Sequence, residues 1–344
     1  MKNVFVKGMK MKKIGIGLYG NNGHQIQHLL ENSPIAELVA TAAFDLAALP
    51  KGLRCKKDIS HYTCLEELLK DSRVQLVSLC SPRRMDQASD TVHCLDLGKH
   101  AYAEKPCAMT ENELDNIIET SRCKGVQFHE MAGTAFDQPY LSMSRIVKAG
   151  TIGTVVQVFA QKSYPYAQWR RQDEETDGGL ICQNGIHALR FIEHVAGARI
   201  KEIQAFETRL GNPVKDGGLQ MAASYMMTLE NGGIASAVAN YLNPEGFGMW
   251  GNEHLRIFGT QGFVEAVDGG KRTRLIVGDM DMGVLDLSEP PKEYFTMFIE
   301  SLLGEMVMPL TLEDELHPTR MAIRAKKAAL KFHEQSSEEK VMYE

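Results

Sequence analysis

The chain has no long apolar run, no paired-cysteine motif and no surplus of positive charge, and each absence removes a class of function. No window approaches the ~18 consecutive apolar residues of a membrane span, and the basic opening MKNVFVKGMKMKK lacks the apolar core of a signal peptide. Residues 1–11 are therefore expected to be a leader before the first strand. The seven cysteines (55, 64, 80, 94, 107, 123 and 182) are odd in number and form no C-x-x-C, which argues against a disulfide framework and a zinc ribbon alike. Reduced thiols fit a cytoplasmic protein. A formal net charge of -6 offers nothing to hold a phosphate backbone, so nucleic acid is not expected as a partner. Neither internal repeats nor low-complexity linkers occur.

What is present describes a globular protein: 44% hydrophobic and 24% charged residues, in a chain of 344. That length exceeds one ordinary domain of roughly 150 residues. From residue 12 the pattern alternates. KKIGIGL, ELVATAAF, VQLVSLCS, HAYAEK and VQFHEMA read as strands, with amphipathic segments such as HQIQHLLENS and TENELDNIIETSRCKG between them. Continuous apolar strands separated by helices predict a Rossmann-type, doubly wound parallel sheet. Beyond residue 130 strands dominate, several joined by Asn-Gly or Gly-rich turns, and predict an α+β domain with a large, mostly antiparallel sheet. The expected division is 1–130 for a dinucleotide-binding domain and 131–344 for a substrate-binding and oligomerisation domain, whose C-terminal helical stretch packs back on the first.

At the first strand, the register LYGNNGH places Gly20 where backbone must approach a pyrophosphate and Gly23 where the following helix, starting at His24, must pack on the sheet. Asn21 and Asn22 tolerate turn conformations and can donate to phosphate. Leu18 replaces the first glycine of the fingerprint. Asp45, 22 residues past Gly23, is near the spacing for a ribose-binding acid, although the usual slot falls nearer Ala43. With no arginine following it, NAD is mildly preferred over NADP. A turn that binds no dinucleotide is the plain alternative.

GKHAYAEKPCAMT, preceded by SLCSPRRMD and followed by AGTIGTV, resembles the glucose-fructose oxidoreductase / inositol dehydrogenase / rhizopine catabolism (Gfo/Idh/MocA) family. The resemblance runs along most of the chain and implies a nucleotide-binding domain followed by an open-faced mixed sheet. It implies that Lys105 is the catalytic lysine, with Glu104 and Pro106 as fixed neighbours and a cis bond before Pro106. Ser81 and Pro82 match a turn near the nicotinamide, with Arg83 and Asp86 standing where the family has asparagine and histidine. Trp169 and Arg170 match a pair that contacts cofactor or substrate. Independently of any family, an ammonium beside a substrate oxygen favours the alkoxide character that develops as hydride leaves carbon.

In GGLICQNGIHALRF, His187 matches the histidine of the family's D-x-G-x-H motif, with Gln183 in the aspartate's place. Four residues apart on a helix, the two share a face. His187 then reads as general base or acid with Gln183 orienting its ring; as one of several proton carriers with Lys105, Tyr164 or Tyr166; or as a satisfied interior histidine. No metal is expected, because the pairs His24/His28 and His187/His194 lie outside any H-E-x-x-H. The implied activity is NAD- or NADP-dependent hydride transfer at a secondary alcohol or carbonyl of a sugar, sugar acid or cyclitol, in a homodimer or homotetramer formed through the second sheet. The rivals are a non-catalytic dinucleotide sensor and a redox-assisted lyase or glycosidase.

Overall fold

The computed structural model describes residues 13–342; the leader expected at 1–11 lies outside the described residues. The first sheet contains β1 (Ile14–Tyr19), β2 (Ala36–Ala42), β3 (Ser60–Tyr62), β4 (Leu76–Leu79), β5 (His100–Ala103) and β6 (Phe128–Glu130). They run parallel in the order β3-β2-β1-β4-β5-β6. All but the edge strand β3 are largely buried because helices cover both faces, and this is why they read as apolar runs. The helices are α1 (Gln27–Leu30), α2 (Lys51–Arg54), α3 (Leu65–Leu69), α4 (Gln87–Asp96) and α5 (Glu111–Lys124). A reciprocal capping box between Thr110 and Glu113 starts α5, and left-handed Gly125 ends it. The chain order reverses between β1 and β4, the switch point where such sheets bind ligands.

After α6 (Tyr140–Lys148), the second sheet takes over with β7 (Val155–Ser163), followed by α7 (Glu174–Asp177) and a helical stretch over residues 181–195. That stretch is α-helical only at α8 (Ile186–Arg190), between π-turns at Ile181–Gly185 and Phe191–Val195. The sheet then adds β8 (Ile200–Thr208), β9 (Ala222–Leu229), β10 (Ile234–Asn240), β11 (Asn252–Gly259), β12 (Gly262–Val267), β13 (Arg272–Val277) and β14 (Met280–Gly283). The order is β14-β13-β12-β11-β7-β10-β9-β8, antiparallel throughout except for the β7–β10 pair. Burial alternates along β8 and β9, so one face carries the core and the other stays open. Phe191, Leu189, Ile186 and Ile181 of the helical stretch fill the covered face.

Two C-terminal helices follow: α9 (Tyr294–Leu302) packs on the first sheet, whereas α10 (Leu312–Met342) lies chiefly against β8 and the 181–195 stretch, with Met321, Ala322, Ala325 and Ala329 in that core, and reaches β6 only near its start. Phe295 and Phe298 pack on Tyr102 of β5, with ring centroids 5.4 and 5.9 Å away. Glu315 of α10 accepts from the Glu130 backbone N–H at 2.6 Å and from Tyr294 Oη at 2.5 Å, and lies 2.5 Å from His129 Nδ1. Residues far apart in sequence thus clamp the end of β6.

Three local expectations change. The helix expected from His24 forms only over Gln27–Leu30, because Gln25 spends its side chain on the strand ends: its amide donates to the carbonyls of Tyr19, Gly20 and Ser78 at 3.2–3.3 Å. His24 therefore belongs to the turn. Strands β3 and β14, three and four residues long, carry too little pattern to be read. The helix at 181–195 is interrupted rather than regular.

Candidate active site

The carboxyl ends of β1, β4 and β5 meet tightly. A Cβ at Gly20, whose φ is +71°, would come within 2.0 Å of the Cys80 carbonyl oxygen, and one at Gly23 (φ +126°) within 2.5 Å of Glu104 Cγ. Gly23 thus admits the Glu104 side chain rather than a helix packing on the sheet, as expected from its place in the fingerprint. Sequence reasoning missed Arg84 and Gln87, two buried polar side chains that lock this junction. Arg84 donates to the Asn22 carbonyl and, at 2.6 Å, to Gln87 Oε1; Gln87 Nε2 donates to the carbonyls of Glu104 and Pro106. Their signal in the sequence is only a polar pair after a strand, which usually means surface.

The turn opens into a cavity of about 530 Å³ lined by Asn21, Asn22, Gly23, His24 and Pro82 on one side. Tyr164, Trp169, Arg170, Asp177 and Gln183 line the other. Its size and its exposed turn backbone suit part of a dinucleotide. Gly20 and Ser81 lie beneath it: Ser81 is buried, with its hydroxyl donating to Asp90 at 2.7 Å. At the end of β2 the lining residue is Ala43, whereas the Asp45 carboxylate caps the next turn through the Ala47 N–H at 2.9 Å. The Asn22 side-chain amide donates to the Thr176 carbonyl at 2.6 Å and so ties the glycine turn to α7.

A second cavity, of about 360 Å³, shares His24 and Tyr164 with the first and is lined by Glu104, Lys105, Thr134 and His187. Lys105 is 2% exposed at the end of β5, and its Nζ lies 3.1 Å from Glu104 Oε1 but out of hydrogen-bond alignment. The Lys105–Pro106 bond is cis, as the resemblance implies. Burial lowers the Lys105 pKa, with the Glu104 carboxylate opposing it. Glu104 in turn stays well below the usual carboxylate range despite its burial, because Lys105 and His24 stabilise its charge.

His187 contributes an unpartnered Nε2 to the same cavity; its Nδ1 lies 3.4 Å from Thr134 Oγ1. Burial, then Lys162, Lys105, Arg190 and His24, push its pKa well below 6.5. The imidazole is therefore neutral at neutral pH, a stronger perturbation than the ordinary value assumed from sequence. Gln183 does not hold it: the Gln183 carbonyl accepts from Tyr241 Oη at 3.2 Å and faces the first cavity. The two side chains part because Gln183 sits in the π-turn, where Tyr241 is its partner. Among the described residues, no group of three His, Cys, Asp or Glu side chains could hold a metal.

A parallel sheet of this order with a glycine turn at its switch point, backed by a mixed eight-stranded sheet and a buried lysine–histidine cavity, defines a two-part dinucleotide-binding protein. Residues 10–131 match the family described as oxidoreductase, NAD-binding Rossmann fold, and residues 140–265 match the Gfo/Idh/MocA C-terminal domain. The chain belongs to the Gfo/Idh/MocA family of oxidoreductases. It is 30% identical to trans-1,2-dihydrobenzene-1,2-diol dehydrogenase of Bos taurus, over 48% of this chain and 50% of that one. With scyllo-inositol 2-dehydrogenase (NADP(+)) of Bacillus subtilis it shares 24% identity, over 56% of this chain and 53% of that one. It thus spans about half the length of these curated relatives. A solved oxidoreductase structure from Thermotoga maritima superposes with a TM-score of 0.83 at 26% identity, covering 92% of this chain and 98% of that one. Levoglucosan dehydrogenase, solved with NADH and L-sorbose, shares the fold: TM-score 0.77 at 14% identity, covering 93% of this chain and 98% of that one.

Proposed function

We propose that the protein is an NAD- or NADP-dependent dehydrogenase acting on a secondary alcohol, or the matching carbonyl, of a sugar, sugar acid or cyclitol. Residues 1–130 hold the dinucleotide and residues 131–344 the substrate. The observation that carries this reading is the juxtaposition of Lys105 and the unpartnered Nε2 of His187 in one cavity beside the glycine turn. A bound nicotinamide supplies the hydride acceptor or donor. Asn21, Asn22, Gly23, His24 and Pro82 would hold the dinucleotide that carries it. Lys105 places positive charge at the substrate oxygen, where negative charge grows as the C–H electron pair leaves. Neutral His187 accepts the hydroxyl proton at Nε2 in oxidation and returns it in reduction, so alcohol and oxidised cofactor balance carbonyl, reduced cofactor and one proton.

Two relatives, one named for action on a cyclic diol and one on an inositol, support a ring polyol. The open face of the second sheet, with exposed Val156, Met226 and Ile234, suits a homodimer or homotetramer. Seven free thiols suit the cytoplasm. A panel of sugars, sugar acids and cyclitols followed at 340 nm with NAD and NADP tests the reading. Turnover of at least one ring polyol is expected. Cofactor binding with no turnover would make the chain a sensor, and product formation without net NADH release would make it a redox-assisted lyase or glycosidase.

A further inference from the structure

Position 183 carries an amide where the family motif has a carboxylate, yet the cavity wall holding Gln183 does contain one. Asp177 is buried and lines that cavity. Arg170 Nη1 lies 3.4 and 3.5 Å from its two oxygens and donates at 3.1 Å to Tyr241 Oη, which donates to Gln183 at 3.2 Å. The chain Asp177–Arg170–Tyr241–Gln183 therefore needs an acceptor at 183, and a neutral one serves. A second carboxylate there, on the same cavity wall, would oppose Asp177 by like-charge repulsion. The contacts to Asp177 are long, leaving most of its acceptor capacity free, and Arg170 Nε has no partner. Burial lifts the Asp177 pKa above the ordinary range against the pull of Arg170, Lys105 and Arg84.

The backbone fixes the position of Asp177 between the glycine turn and Pro106. Asp173 caps α7 through the Thr176 N–H at 2.8 Å, and Asn22 holds the Thr176 carbonyl. Gly178 (φ +94°) then lies so near Pro106 that a Cβ would come within 3.0 Å of its Cδ. Beside this wall Trp169 and Trp250, 68% and 50% exposed, stack with planes 9° apart and centroids at 6.4 Å. Exposed stacked indoles offer an apolar surface to the C–H face of a ring.

We propose that Asp177 is the substrate-binding carboxylate of this site, filling the place of the aspartate missing at 183. It accepts a hydroxyl of a ring polyol whose apolar face rests on Trp169 and Trp250. The free Arg170 N–H donates to a neighbouring hydroxyl, so the ligand class is a vicinal diol on a ring. This rests on the dehydrogenase reading for its catalytic meaning, though not for binding.

The test uses the full chain as wild type, Asp177→Asn, Gln183→Asp and the double exchange. Tryptophan-fluorescence titration with a panel of ring diols and inositols, in the presence of NADH, reads binding; absorbance at 340 nm reads turnover; NADH titration checks that each variant retains its fold and cofactor site. Loss of a hydrogen bond to a charged group predicts at least about ten-fold weaker polyol binding for Asp177→Asn. Gln183→Asp alone should also weaken it, and the double exchange should recover most of the wild-type affinity. Unchanged binding by Asp177→Asn, tighter binding by Gln183→Asp alone, or a wild type that binds no ring polyol would overturn the proposal. A wild type that binds ring polyols through Asp177 without ever changing at 340 nm would sink the dehydrogenase reading alone.

Discussion

Two buried glutamates end neighbouring strands and have opposite fates. Glu130, at the end of β6, is saturated: it accepts from the Cys107 N–H at 2.7 Å, Arg190 Nη2 at 2.5 Å and Thr319 Oγ1 at 2.6 Å. Glu104, just past β5, faces a lysine 3.1 Å away that forms no aligned hydrogen bond to it. Both cations are buried, so the difference is not one of depth. The first pair spends its polarity on structure, joining the Glu-Lys-Pro turn to the helix of His187 and to α10, with only Arg190 Nε left without a partner. The second keeps donor capacity open toward a cavity, and buried polarity left open is where function is expected.

Substitution should separate the two. Glu130→Ala leaves Arg190 buried without its anion and should cost about 3–5 kcal/mol of stability, read as a fall in the urea midpoint. Glu104→Gln keeps the shape and should cost distinctly less. It removes the charge that opposes burial at Lys105, so the Lys105 pKa should fall further and the basic limb of the rate profile move to lower pH. Equal stability losses would erase the distinction.

A smaller effect sharpens it. Lys162, paired with Glu253, is the largest charge depressing His187 after burial itself. Removing a cation favours the protonated imidazole, so Lys162→Met should raise the His187 pKa. Oxidation needs the neutral ring, and the acid limb of kcat/KM should therefore shift to higher pH. An unmoved limb would mean that another group titrates.

The parallel sheet was legible in its apolar runs and the glycine turn in its spacing, whereas Lys105, the cis bond before Pro106 and His187 were reached through the family resemblance that the Glu-Lys-Pro stretch and the motif around His187 carry. Asp177 was not legible, because in DEETDGG it looks like any solvated acidic run, and only the packing of α7 against the glycine turn buries it. Arg190 and Glu130 are 60 residues apart, and nothing near either one announces the other. The partner of Gln183 was misjudged for a related reason. Helical spacing pointed to His187, but a π-turn and the distant Tyr241 decided otherwise.

The central claim is that the open lysine does chemistry, and the most direct measurement is the 340 nm turnover of the best ring polyol by Lys105→Ala beside wild type, with NADH affinity as control. Loss of one preorganised charged donor predicts a fall of about 10²–10³ in kcat with cofactor binding retained. A variant that binds NADH and turns over at the wild-type rate would contradict the account.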